Sequence, residues 1–183
     1  MNIVERGSPN QSARSTQAID CIVIHSTEGS MPGCLEWLRN PQSQVSAHYL
    51  IARDATIYAL VPESRKAWHA GRSEWRGRGD VNQFSIGIEL ENPPGNQTPY
   101  TAEQYAALAE LLADIRGRRG PLPHVDHSAI AIPAGRKTCP EPDLDWSQVQ
   151  EPPAGADVWT QPVSSVAREG ETVGDLVRRL IAS

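Results

Sequence analysis

Phe84-Ser85-Ile86-Gly87-Ile88-Glu89-Leu90-Glu91 alternates without a break: Phe84, Ile86, Ile88 and Leu90 fall on one side, and Ser85, Gly87, Glu89 and Glu91 on the other. Successive side chains of a strand point to opposite faces, so this run reads as a strand with one apolar face to bury and one face carrying polar groups. Asn92-Pro93-Pro94-Gly95 stops it. Upstream, Ile19-Asp20-Cys21-Ile22-Val23-Ile24 is a short, β-branched apolar run ending at His25, and it reads as a buried strand. Downstream, Thr101 and Gln104 fit a capping box, and Tyr105, Leu108, Leu111, Leu112 and Ile115 form one apolar stripe, with Gly117 and Gly120 marking the helix end. Residues 45–53 and 56–61 read as hairpin strands turning at Arg53-Asp54-Ala55, residues 32–39 as a short helix, and residues 122–125 as one more strand. Strands alternating with helices predict an α/β fold, a sheet covered by helices.

The flanks look different. Residues 1–18 are polar and read as an irregular lead-in, and residues 62–83, rich in Gly, Arg and Trp, read as one long functional loop. Two parts are expected: a main domain over residues 1–150, then a Pro-rich linker and C-terminal helix over 151–183. In that helix Thr172 is the cap, and Val173, Leu176, Val177, Leu180 and Ile181 share a face.

Composition narrows the function. The chain has 183 residues, 39% hydrophobic and 21% charged, which suits a folded core rather than disorder. Seventeen basic residues against 22 acidic ones leave a net charge of −5 with no long basic run, so no nucleic-acid partner is expected. No apolar stretch is long enough for a membrane span, and the first residues lack the apolar segment of a secretory signal. Cys21, Cys34 and Cys139 make no disulfide framework; Cys21 and Cys34 read as buried thiols. Oligomeric state is not legible.

The chemistry rests on five histidines, Cys139 and the Glu pair. A catalytic zinc site takes three protein ligands and keeps a fourth position for water. His25 stands where an apolar strand meets a polar loop, the place where α/β sheets present functional groups. His127 and Cys139 share one segment rich in Pro and Gly that a metal would order, although a buried thiol reads equally well for Cys139 taken alone. The His-Glu-x-x-His and Pro-Cys-x-x-Cys patterns of other zinc hydrolases and deaminases do not occur.

Five segments in order carry a more specific signal: Ile22-Val23-Ile24-His25-Ser26-Thr27, Ser46-Ala47-His48-Tyr49-Leu50-Ile51, Ala67-Trp68-His69-Ala70-Gly71, Ser85-Ile86-Gly87-Ile88-Glu89-Leu90-Glu91-Asn92, and His127-Ser128 followed by Gly135-Arg136-Lys137-Thr138-Cys139-Pro140. Together they resemble the zinc-dependent N-acetylmuramoyl-L-alanine amidases of the amidase-2 type, a family that includes phage lysins, cell-wall recycling amidases and peptidoglycan recognition proteins. The resemblance covers roughly residues 19–146. It implies a mixed central sheet flanked by helices, a Zn2+ cofactor and a peptidoglycan or muropeptide substrate. By resemblance His25, His127 and Cys139 match the metal ligands, with His124 the neighbour competing with His127. Lys137 matches the lysine that steadies the oxyanion, and Glu89 the general base, with Glu91 as its rival. Ala47 stands where some members carry a helpful tyrosine. His69, at the cleft rim, with Trp68 and Arg72, is expected to touch substrate, and His48 to pin local structure. The implied setting is a phage endolysin released to the wall or a cytoplasmic recycling enzyme, with the periplasm left open; a non-catalytic peptidoglycan-binding module is the alternative.

Overall fold

The computed structural model describes residues 1–140 and 144–149. The linker and the helix expected from Thr172 lie outside the described residues. The elements run β1 (Ile3–Glu5), β2 (Gln11–Ala13), β3 (Cys21–Ser26), α1 (Gly33–Arg39), β4 (Tyr49–Ile51), β5 (Ile57–Ala59) and β6 (Arg65–Ala67). They continue with β7 (Glu74–Trp75), β8 (Arg78–Gly79), β9 (Ser85–Leu90), α2 (Ala102–Arg119), β10 (His124–Asp126) and α3 (His127–Ile130).

Six strands form the main sheet in the order β1-β5-β4-β9-β3-β10. Every neighbouring pair is parallel except the β4–β5 hairpin, so the sheet is mixed, as the resemblance implies. The two long strands lie side by side near its middle. Ile22 and Ile24 of β3, with Ile86, Ile88 and Leu90 of β9, bury one face against Leu108, Leu111, Leu112 and Ile115 of α2. The Thr101 capping box is present, with Thr101 and Gln104 each closing the other's backbone N–H. Gly117 sits inside α2, and the helix ends at Gly120, whose φ of +85° suits a residue without a Cβ. Phe84 departs from the alternating pattern. It lies in the turn before β9 and packs with Cys21, Val23 and Val81 in a second cluster.

Several expectations change. Residues 1–18 are not merely irregular: β1 is an edge strand of the main sheet beside β5, and β2 pairs with β6. Residues 62–83 are not one loop, since they hold β6 and the β7–β8 hairpin. Segments of two or three residues are held by backbone hydrogen bonds to distant partners and leave too short a pattern to show a period. The strand expected over 45–53 contracts to Tyr49–Ile51. The segment after β10 begins with one helical turn, α3, because no Pro or Gly occurs before Pro133. Among the described residues no helix is long and apolar enough to cross a membrane.

Candidate metal centre

The register of three parallel strands assembles the site. His25 on β3 is the register partner of Glu89 on β9, and both face away from the α2 core. On the other side of β3, Asp126 of β10 pairs with Ile24, so the chain leaves the sheet at His127, next to His25. The following segment then folds back, and the Ser128 N–H donates to the Cys139 carbonyl at 3.0 Å. His25 Nδ1 and His127 Nδ1 come to 3.0 Å, and Cys139 Sγ lies 3.3 Å from His127 Nδ1. The three donor atoms all lie within 4.8 Å of one another.

This donor set fits a zinc ion. Nitrogens at zinc-bond length stand about 3.3 Å apart along a tetrahedral edge, and two imidazoles with a thiolate are ligands zinc favours. Burial, then the charges of His127 and Lys137, holds His25 well below the usual histidine range; burial takes His127 down to about 4. Two neutral rings therefore face each other nitrogen to nitrogen, a repulsive contact unless a proton or a cation lies between them. Burial, with Glu89 nearby, pushes the Cys139 thiol up to about 12, so a thiolate at this place calls for a cation beside it.

The two glutamates separate cleanly. Glu91 Oε1 accepts the Met31 N–H and its Oε2 the Arg53 N–H, both at 2.8 Å, so it braces two loops. Glu89 Oε2 is buried and has no hydrogen-bond partner among the described residues. Burial pushes the Glu89 carboxyl up to about 8, with the charge of Lys137 opposing the rise. Lys137 is exposed and, with Glu89 and the three donor residues, lines a cleft of about 860 Å³.

The remaining expected site residues scatter. Trp68 lines the cleft, and its indole N–H donates to Ser12 Oγ at 3.2 Å. His69 lines the cleft and is largely buried behind His25, with its Nδ1 3.1 Å from His25 Nε2. Arg72 is exposed and absent from the cleft lining among the described residues; only its carbonyl takes part locally, accepting from Arg136 at 2.7 Å. His48 is fully buried and accepts the Gly87 N–H at 2.9 Å, as a pinning residue should. His124 stacks on Trp146 at 3.7 Å, away from the donor cluster, which leaves His127 without its competitor. The sequence reading missed Trp37 on α1, which is 57% exposed and lines the cleft. A seven-residue helix is too short for its pattern to single out one exposed aromatic.

Fold and donor set together define a class: α/β proteins with a cluster of imidazole and thiol groups near the ends of parallel strands. Within it, the chain belongs to the N-acetylmuramoyl-L-alanine amidase family, whose sequence pattern matches residues 15–142. It is 43% identical over 106 residues to the 1,6-anhydro-N-acetylmuramyl-L-alanine amidase AmpD of Enterobacter cloacae, a match covering 57% of this chain and 54% of that protein. The chain thus spans about half the length of that relative. Among solved structures it resembles a selenomethionine derivative of AmpD with a TM-score of 0.69 and 31% identity, over 79% of this chain and 90% of that one. It also resembles the Escherichia coli amidase AmiD, solved with anhydro-N-acetylmuramic acid-L-Ala-D-gamma-Glu-L-Lys. That TM-score is 0.64 at 35% identity, over 78% of this chain and 57% of AmiD.

Proposed function

We propose that this chain hydrolyses the amide joining the lactyl group of N-acetylmuramic acid to L-alanine, in peptidoglycan or a muropeptide released from it. The observation that carries this reading is the convergence of His25, His127 and Cys139 beside a glutamate oxygen that has no partner among the described residues. The muropeptide bound by AmiD supports a substrate of that chemistry. His25, His127 and Cys139 would hold zinc, which supplies a water acidified to a pKa of about 7 and an electrophile for the amide carbonyl.

The chain's own groups perform the proton and charge work. Glu89 takes a proton from the attacking water and returns it to the leaving amine of L-alanine. A carboxyl poised near 8 in a dry setting suits a group that must both take and give a proton near neutrality. Lys137, at the cleft mouth, offers a cation to the carbonyl oxygen as negative charge develops there. Trp68 forms part of the wall against which substrate lies. Residues 1–150 would be the catalytic unit, with 151–183 as an appended segment.

The test is mass spectrometry of the soluble products after incubation with peptidoglycan. Stem peptides with a free N-terminal alanine, together with peptide-free glycan, are expected. Protein retained on uncut wall would replace this reading with that of a binding module.

A further inference from the structure

We propose that His69 and Ser85 are positioning residues that hold the His25 Nδ1 lone pair free and so set the cation affinity of the centre, with no contact to substrate. This rests on the zinc reading above. Hydrogen-bond polarity is fixed at both ends of this relay by backbone carbonyls. The Val81 carbonyl can only accept, so the Ser85 hydroxyl, 2.7 Å away, donates to it. Having spent its one proton, Ser85 Oγ accepts from His69 Nε2 at 3.1 Å. A neutral imidazole carries one N–H, so His69 Nδ1 is an acceptor and takes the His25 Nε2–H at 3.1 Å. The remaining nitrogen of His25, Nδ1, is then a bare lone pair. On the far side the Ala70 carbonyl accepts the His127 Nε2–H at 3.1 Å, which leaves His127 Nδ1 bare as well. The Cys139 S–H, 3.3 Å from His127 Nδ1, can meet only one of these two lone pairs at 3.0 Å, whereas a cation between them can meet both and the sulfur as well.

The packing holds this relay in place. Ser85 is fully buried and His69 nearly so. The His69 ring lies against the backbone of β9 at Gly87, where an added Cβ would stand 2.4 Å from His69 Cγ. The N–H groups of His69 and Ala70 both donate to Asn82 Oδ1, at 3.1 and 2.8 Å. Beyond Ser85, its carbonyl accepts from the buried Arg14 guanidinium at 2.8 Å. The ring borders the cleft, but both of its nitrogens are taken up, Nε2 by Ser85 Oγ and Nδ1 by His25 Nε2. Groups that orient metal-bound histidines in this way change metal affinity about 10–100-fold when removed.

Three measurements test the relay. Zinc affinity, read by competition with a chromophoric chelator, should fall about 10–100-fold in Ser85→Ala and His69→Leu. His69→Asn keeps an acceptor where Nδ1 stood and should recover most of the affinity. In the metal-free wild-type protein, nitrogen-15 spectra of the imidazoles should show the proton on Nε2 of His25, His69 and His127; a proton on His25 Nδ1 would overturn the proposal without any variant having to fold. Wild-type zinc affinity in Ser85→Ala and His69→Leu, with a raised KM for muropeptide, would overturn it in favour of substrate contact. Failure of the wild-type protein to take up zinc would remove the metal reading itself, and this one with it.

Discussion

Glu89 on β9 and Glu91 just past its end, two residues apart, have opposite surroundings: the Glu91 carboxylate is closed by two backbone N–H groups, whereas Glu89 Oε2 has no partner among the described residues. The chain thus carries a braced carboxylate and one with an oxygen unpaired among the described residues only two positions apart. The pairing of His25 with Glu89 across β3 and β9 brings the second of these to the donor cluster.

Replacing Glu89 by Gln should abolish proton transfer while leaving the donor set intact. Turnover should fall about 10²–10⁴-fold, the usual worth of a general acid–base group, with zinc content unchanged. Product formation on muropeptide together with metal analysis checks this; full activity would remove Glu89 from its role.

Glu91→Ala should act on stability instead. It strands the Met31 and Arg53 N–H groups, and a buried donor left unsatisfied costs about 1–3 kcal/mol. Urea denaturation should show a lower midpoint. A stable variant with lost turnover would reverse the assignment of the two glutamates.

Cys139→Ser and His127→Ala should each leave protein that retains less than one zinc per chain after dialysis. Chelation of the wild-type protein should stop turnover, and added zinc should restore it. Stoichiometric zinc in Cys139→Ser would take the thiol out of the ligand set.

Acid should destabilise the fold through Glu63. Burial alone would raise this carboxyl, but Arg118, Tyr49 and Arg119 donate to it and hold it down at about 2. Its folded value lies below its unfolded one, so its stabilisation is fully present above the ordinary carboxylate range. That stabilisation is lost as pH falls from about 4.5 toward 2. Glu63→Gln should be less stable at neutral pH and should show a shallower loss across that window, read by urea midpoints at stepped pH.

Gly87→Ala should disturb the centre from behind. The added Cβ meets the His69 ring at 2.4 Å, and neither β9 nor the enclosed ring can move aside freely. A lower melting temperature and weaker zinc uptake are expected together; an unchanged protein would show the ring to be loosely held.

Much of the site was legible because its parts are local. The alternation of Phe84 to Glu91 assigns faces from a period of two, and Thr101 with Gln104 marks a helix start through bonds three residues apart. The order of the five motifs led to His25, His127 and Cys139, which the fold then gathers within 4.8 Å. What could not be read locally depends on partners far along the chain. The alternation puts Glu89 and Glu91 on one side equally, and only bonds from Met31 and Arg53 tell them apart. His69 looks like a loop residue until Gly87 and Ser85 of β9 are packed against it. That Trp37 lines the cleft and Arg72 does not among the described residues was not legible either, since which side of a loop or a seven-residue helix faces the cleft follows from how it docks.

The sequence by itself determined the two central strands and the capped helix, because periodicity and capping are properties of short stretches of chain; the donor set was implied by the resemblance that five motifs in order carry. Only the tertiary structure decided which carboxylate oxygen has no partner among the described residues, which histidine stands behind His25, and how the edge strand β1 finds β5. Those outcomes depend on hydrogen bonds and burial between segments tens of residues apart, and no local pattern encodes which distant group will supply the partner.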